Sequence, residues 1–542
     1  MKRHIPATAF FIVLLIFIFS SYKDYGIAWD EKVYIETGRH YLIKIFDLFG
    51  ISHNLKETKP FLHGGVHIKT HGVFFDIVVI LTSLFFKNFN LELYHLIKAL
   101  YSSFIFLFLY LIVAKLLNQR LALMSLIFLL LFPRFTSDIF FNSIDIPTTL
   151  FFTIALYYFF YFIDSKQNFL KQIFFGLLMA LIINQRAIFW YFMILNLLFL
   201  FVLRPEKNKK NLKQLLTQSF VILASTIFFM HLTHPYLFAH PVVGIYDIIR
   251  EASKGFPFGA AVLFEGKWYQ AGYNPLPWYY LPKSILITSP LITLILFFLG
   301  SLKIVKNLLR PQQSSNKQYE LLYLLSIFSV PFLLVFFLRP ILYDSWRQFL
   351  FLTIPMIIIA MSGLDFIIKN SNFKAQMSNQ IQSPNVKKEY KKSLGFWILK
   401  LIWNLKFVIC ILIIINLFLV AKQMILLHPY EYLYYNSLVG SLRGASGKYE
   451  TDYWGLGYKE AVLWFNQNLN DPKKQYKIFV EGDPLSSYYY FKPNMRLTAD
   501  LPSADYLFTF TRWNFHIRHP GKTIYTVEKE GVPLIFIKKV VN

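Results

Sequence analysis

Asp30 and Glu31 form an acidic pair in the stretch GIAWDEKVYIETGRHYL (26–42), directly after an apolar run from about Ile5 to Ser21. A carboxylate held at a membrane surface can serve as general base toward a hydroxyl. Its neighbour can raise its pKa or hold a partner group. In most proteins such a pair is a solvated helix end; here it sits in an aromatic loop with Trp29, Tyr34 and Tyr41. A second acidic stretch, RFTSDIFFNSID (134–145), carries Asp138 and Asp145. Pro147 follows Asp145 at an expected helix start, so an N-cap is the plain alternative for Asp145. Asp138 is preferred by a small margin as the second functional acid. A third group is FLHGGVHIKTH (61–71), with His63, His67, His71 and Lys69. Four-residue spacing puts the three histidines on one helical face, a weak divalent-metal signal; a hydrogen-bonded loop is the bland alternative. HLTHPYLFAHP (231–241), with Trp268 and Trp278 beyond it, reads first as an interfacial aromatic belt. No phosphate loop, no GxGxxG after a strand and no DxD occurs, so no nucleotide cofactor is expected.

These residues must be positioned by membrane helices. The chain has 542 residues, 56% of them hydrophobic and only 16% charged, the profile of a polytopic membrane protein. Eleven runs approach the roughly 20 apolar residues that a span needs: 5–21, 95–114, 121–137, 146–163, 169–185, 187–203, 215–232, 282–302, 319–338, 348–368 and 407–427. A twelfth, 73–86, is short and carries Asp76; it reads as an interfacial or re-entrant helix within a long first outer loop, 22–94. With Lys2 and Arg3 inside, the inner segments hold 23 Lys and Arg but only three acids, Asp164, Glu206 and Glu389. The net charge of +25 is therefore a positive-inside signal and not a nucleic-acid footprint. The run KKEYKK (387–392) is a solvated cytoplasmic loop that can touch anionic lipid. The single cysteine, Cys410, excludes an intramolecular disulfide. The N-terminal run reads as an uncleaved first helix.

The tail differs in kind. Alternating runs at 477–482, 504–511, 522–529 and 533–540 predict strands, with a hairpin at Glu530–Gly531. Helices are expected over 458–469 and 484–491. The domains expected are a transmembrane domain, 1–427, and a small outer α/β domain, 428–542.

A first span, an acidic pair in a long outer loop, many further spans and an outer C-terminal domain together resemble the C-type membrane glycosyltransferases (GT-C). The nearest branch is glycosyltransferase family 39, which includes protein O-mannosyltransferases and bacterial aminoarabinose transferases. WDEKVYIETGRHY (29–41) is the sharp match; FNSIDIP (141–147), LYDSWRQFLF (342–351), HPYEYLYYNSLVG (428–440) and YETDYWGLGYKEA (449–461) are weaker likenesses. The resemblance implies transfer of a sugar from a polyprenyl-phosphate donor to a lipid, glycan or protein hydroxyl on the non-cytoplasmic side, with inversion. It makes Asp30 the base and Glu31 a support or metal neighbour. The leaving lipid phosphate needs cations, and few lie on the outer face: Lys69, Arg134, Arg186, Arg339 and Arg347. Arg347 ranks first, because a guanidinium holds phosphate bidentately; Arg186 follows. The rival is a transporter or flippase of a lipid-linked glycan, which calls for mid-membrane charges and related halves. The sequence shows neither.

Overall fold

The computed structural model describes residues 5–55, 71–86, 90–164, 168–202, 212–254, 261–270, 274–309, 316–380 and 394–540. Seven of the helices described are long and apolar enough to cross a membrane, and the protein is a polytopic α-helical membrane protein with a small sheet at its C-terminus. The seven include Leu91–Leu116, Leu212–Thr233, Lys317–Leu338 and Arg347–Lys369. Ile5–Ser21 and Phe169–Gln185 are apolar helices of 17 residues each.

Two expected spans are not continuous. The run 121–137 folds as Gln119–Leu130 and Pro133–Phe141, bent by 70°. Pro133 opens the second piece, where its missing N–H costs nothing but ends the ladder of the first. The run 282–302 folds as Tyr280–Thr288 and Leu291–Leu308, interrupted at Ser289–Pro290. The doubtful run 73–86 is a helix only over Phe74–Ser83. Ten residues rise about 15 Å, half of a bilayer core of about 30 Å.

Close helix approach fixes the frame behind the site. A Cβ on Gly300 would lie 2.1 Å from the Ile359 carbonyl oxygen, and one on Gly363 would lie 2.1 Å from that of Leu296. The helices Leu291–Leu308 and Thr353–Gln380 therefore meet backbone to backbone, as small residues allow in membranes.

The C-terminal part holds five of the seven strands described. β1 (Ala261–Phe264) and β2 (Lys267–Gln270) form a separate hairpin. β3 (Tyr476–Val480), β4 (Met495–Leu497), β5 (Tyr506–Phe510), β6 (Lys522–Lys529) and β7 (Val532–Lys539) pair in the order β4-β3-β5-β7-β6. β3 runs parallel to β4 and β5; β7 runs antiparallel to β5 and β6. Glu530 (φ 50°) and Gly531 (φ 73°) make the β6–β7 turn, the left-handed pair that a tight hairpin requires. The helix Tyr458–Asn468 covers the sheet through Tyr458, Ala461, Val462 and Phe465, a spacing that draws one apolar stripe. The three-residue strand β4 was not expected from the sequence, and the expected helix 484–491 is helical only at Leu485–Tyr488.

Candidate active site

Asp30 occupies the N-cap of the helix Glu31–Leu48, but its side chain accepts no capping hydrogen bond. The carboxylate is thus free to turn away from its own helix, and it receives the Arg347 guanidinium, Nη1 to Oδ2, at 3.1 Å. Its side chain keeps 26% of its surface exposed. Glu31 is fully buried. It accepts the Ala28 N–H at 2.8 Å, faces His95 Nε2 at 2.9 and 3.0 Å, and meets Lys98 Nζ at 3.4 Å. Lys98, itself fully buried, also donates to Ser143 Oγ at 3.0 Å. One acid of the pair is therefore accessible. The other ties the turn before its helix to the loop that carries the second acidic stretch.

That loop is built by Asn142. Its Oδ1 accepts the N–H groups of Ile144 (3.1 Å) and Asp145 (2.8 Å), the job of an N-capping side chain. Its amide donates to Asp138 Oδ2 (2.9 Å) and Asp145 Oδ2 (3.1 Å). Because Asn142 does the capping, the Asp145 side chain is released for other partners. Arg186 Nε donates to Asp145 Oδ1 at 2.9 Å, and Nη2 donates to the same oxygen. Arg347 Nη1 lies 3.7 Å from Asp145 Oδ2. The structure thus places Asp145, not the preferred Asp138, against the arginines. Asp138 is equally buried, bonds to Asn142, and keeps its Oδ1 without a hydrogen-bond partner.

Arg186 reaches this point because the helix Phe169–Gln185 ends there; Arg186 is extended (φ −149°, ψ 119°) before a short 3₁₀ turn. Arg347 opens another 3₁₀ segment, Arg347–Leu352, after a turn in which Asp344 (φ 56°) and Ser345 (φ 62°) are left-handed. Non-glycine residues adopt that region rarely, at roughly 1–3 kcal/mol each. The turn is held by ion pairs: Asp344 Oδ2 lies 3.1 Å from Arg347 Nε, and Asp344 Oδ1 accepts from Arg512 Nη2 at 2.7 Å. Glu450 Oε2 accepts the Asp344 N–H at 3.2 Å. Burial raises the Asp344 pKa against the pull of Arg512 and Arg347. Burial, and then the neighbouring Asp344 charge, push Glu450 up to about 8.

Three carboxylates and three arginines thus alternate: Arg186, Asp145, Arg347 with Asp30 and Asp344, and Arg512. Aromatic faces close the cluster. The Arg347 guanidinium lies 4.6 Å from the Trp454 ring centroid and 5.1 Å from that of Tyr343. The Tyr34 hydroxyl is buried without a hydrogen-bond partner. Such a centre can hold an anion on its arginines and keep a carboxylate within reach of a reacting hydroxyl.

Other expected residues fall elsewhere. Arg134 is buried, donates to the Tyr434 carbonyl at 3.3 Å and lies over the Tyr435 ring. Arg339 lies on the wall of a separate small cavity with Trp278 and Leu342. His71 Nδ1 stands 3.2 Å from the Gln185 carbonyl, one residue before Arg186. His63, His67 and Lys69 lie outside the described residues. Among the described residues, no group of three His, Cys, Asp or Glu side chains is placed to hold a metal. His231 bridges the Ile227 and Pro241 carbonyls, a structural role.

The sequence carries no expectation for Arg512, and Asp344 and Trp454 stand in it only inside the likenesses at 342–351 and 449–461. Nothing local marks Arg512, because its partner Asp344 is 168 positions away.

Residues 72–233 match the family model described as dolichyl-phosphate-mannose-protein mannosyltransferase. No curated protein matches the chain. Among solved structures, ArnT from Cupriavidus metallidurans in the apo state aligns at 14% identity over 98% of this chain and 97% of its own, with a TM-score of 0.48. The same protein bound to undecaprenyl phosphate aligns at 13% identity over 98% and 97%, with a TM-score of 0.48. The archaeal oligosaccharyltransferase AglB from Archaeoglobus fulgidus, in complex with an inhibitory peptide and a dolichol-phosphate, aligns at 10% identity over 94% and 70%, with a TM-score of 0.46. The matched segment, residues 72–233 of 542, carries Asp138, Asp145 and Arg186.

Proposed function

We propose that the protein transfers a hexosyl or pentosyl group from a polyprenyl-phosphate carrier to a hydroxyl of a lipid, glycan or protein on the non-cytoplasmic face, inverting the anomeric centre. The observation that carries this reading is the ion pair between Asp30 and Arg347, with Arg186 two links away through Asp145. The accessible carboxylate is paired with the arginine best placed for an anion. A donor phosphate competes for Arg347 and Arg186. As it draws Arg347 over, Asp30 is freed to face the acceptor. The acceptor oxygen then attacks the anomeric carbon, the bond from that carbon to the phosphate oxygen breaks, and the phosphate keeps the electron pair on the arginines. The acceptor proton passes to Asp30. Glu31 positions the turn through His95 and Lys98, and Asp145 holds both arginines in register. The matched family's description, which names a lipid-phosphate sugar donor, supports the same donor class. His63, His67 and His71 are the proposed ligands for a divalent metal ion.

The test is transfer from defined polyprenyl-phosphate sugars in proteoliposomes, with and without a chelator. Release of polyprenyl phosphate coupled to a glycosylated acceptor supports the reading. Movement of a lipid-linked glycan between leaflets without bond breakage supports the transporter instead.

A further inference from the structure

The C-terminal part does not stand apart from the membrane helices. It grips the site from two sides. On one side, the Trp29 N–H donates to the Trp454 carbonyl at 2.9 Å, which pins the residue before Asp30. The Trp29 ring packs against Phe510 and Trp513, with centroids 5.6 and 5.9 Å away. It also lies over Gly482 (φ 89°), where a Cβ would come within 2.6 Å of it. On the other side, Arg512 reaches from the end of β5 to the strained turn before Arg347. Its Nη2 donates to Asp344 Oδ1 and its Nη1 to the Tyr453 carbonyl, both at 2.7 Å. Its guanidinium lies against both Trp29 and Trp513, 5.2 and 4.6 Å from their centroids.

Asp344 is therefore shared. Its side chain is almost fully buried, one oxygen serving Arg512 and the other Arg347. At short range and out of water, a carboxylate with one cation holds it harder than a carboxylate divided between two. We infer that Arg512 is a positioning residue for the donor site: by taking half of Asp344, it leaves Arg347 able to bind an anionic phosphate. The C-terminal sheet thus tunes the affinity of a guanidinium carried by the membrane helices. This inference rests on the proposed donor class.

Loss of Arg512 leaves Asp344 buried against Arg347 alone, so the phosphate must then break a tighter pair. Removing the Asp344 charge as well abolishes that competition. A purely structural role for Arg512 does not predict such rescue.

The test is equilibrium binding of undecaprenyl phosphate to the full chain in detergent, with gel filtration and thermal melting as fold controls. Arg512→Ala should bind about tenfold or more weakly, a loss of about 1.4 kcal/mol or more. Arg512→Ala with Asp344→Asn should recover most of that loss. Arg512→Lys, which keeps charge but cannot reach both Asp344 and the Tyr453 carbonyl in one plane, should fall between. If Arg512→Ala does not fold, the Arg512→Lys chain and its combination with Asp344→Asn carry the same comparison. Unchanged binding in a folded Arg512 variant, or a folded double variant no better than the single one, overturns the inference. Absence of binding by the wild-type chain overturns the donor class itself, a separate result.

Discussion

Glu31→Gln separates positioning from proton transfer. Glu31 is fully buried and anchors three donors: Ala28 N–H, His95 Nε2 and Lys98 Nζ. The Gln amide keeps one acceptor oxygen and shape, so one of those bonds survives. What it cannot supply is the charge opposite Lys98, a fully buried lysine. Breaking a buried ion pair from one side costs about 3–5 kcal/mol. Lys98 retains the Ser143 hydroxyl at 3.0 Å and the Tyr94 ring at 4.9 Å, which points to the lower end, near 3 kcal/mol. The expected phenotype is a lowered apparent melting temperature, with activity reduced through displacement of the Asp30 turn. Adding Lys98→Met removes the orphaned cation, and removing both charges of such a pair is often close to neutral. Stability should return in that double variant. Thermal unfolding of the single and double variants in one detergent, scored by size-exclusion chromatography, is the assay. A Glu31→Gln protein as stable as wild type, or a double variant no better than the single, refutes the account of Glu31 as an anchor.

Asp145→Asn should cut transfer more than Asp138→Asn does, because Asp145 alone of the two contacts Arg186 and Arg347; equal effects in the transfer assay would deny Asp145 its role in holding the arginines. Glu450 titrates near 8 in the folded protein, above its ordinary 4.5. The folded state therefore holds a proton that the unfolded state has lost, and stability falls as pH rises from about 4.5 to about 8 and levels off above. Glu450→Gln should flatten that slope, as thermal melting across the window will read. Topology predicts that Ser503→Cys, an exposed position after β4, is labelled from the outside by an impermeant thiol reagent in a Cys410→Ser background; protection there would invert the orientation.

The sequence shows the helical frame because apolar runs are written locally, and Leu91–Leu116 and Lys317–Leu338 coincide closely with runs read from hydropathy. It does not show where a run breaks. The 70° bend at 131–132 and the interruption at Ser289–Pro290 each depend on one proline in an otherwise apolar stretch. The acidic pair stands out because it follows directly on the apolar run 5–21 within an aromatic stretch. Its division of labour does not, since it depends on His95 and Lys98 lying one helix away. Asp145 rather than Asp138 meets the arginines because Asn142 takes over the capping, and that exchange turns on side-chain geometry within four residues. Arg512 is furthest from view: only the fold of the C-terminal sheet carries it to Asp344.

The central claim is that Asp30 takes the acceptor proton at a site whose arginines hold a lipid phosphate. The most direct measurement compares wild type with Asp30→Asn for sugar transfer from a polyprenyl-phosphate donor in proteoliposomes, alongside binding of the donor to each. Asparagine keeps the size and hydrogen-bonding ability of Asp30 but takes no proton. The account predicts that Asp30→Asn folds and binds donor at least as tightly, since Arg347 is released, while turnover falls roughly 10²- to 10⁴-fold. Turnover within about tenfold of wild type, well short of that range, would contradict it.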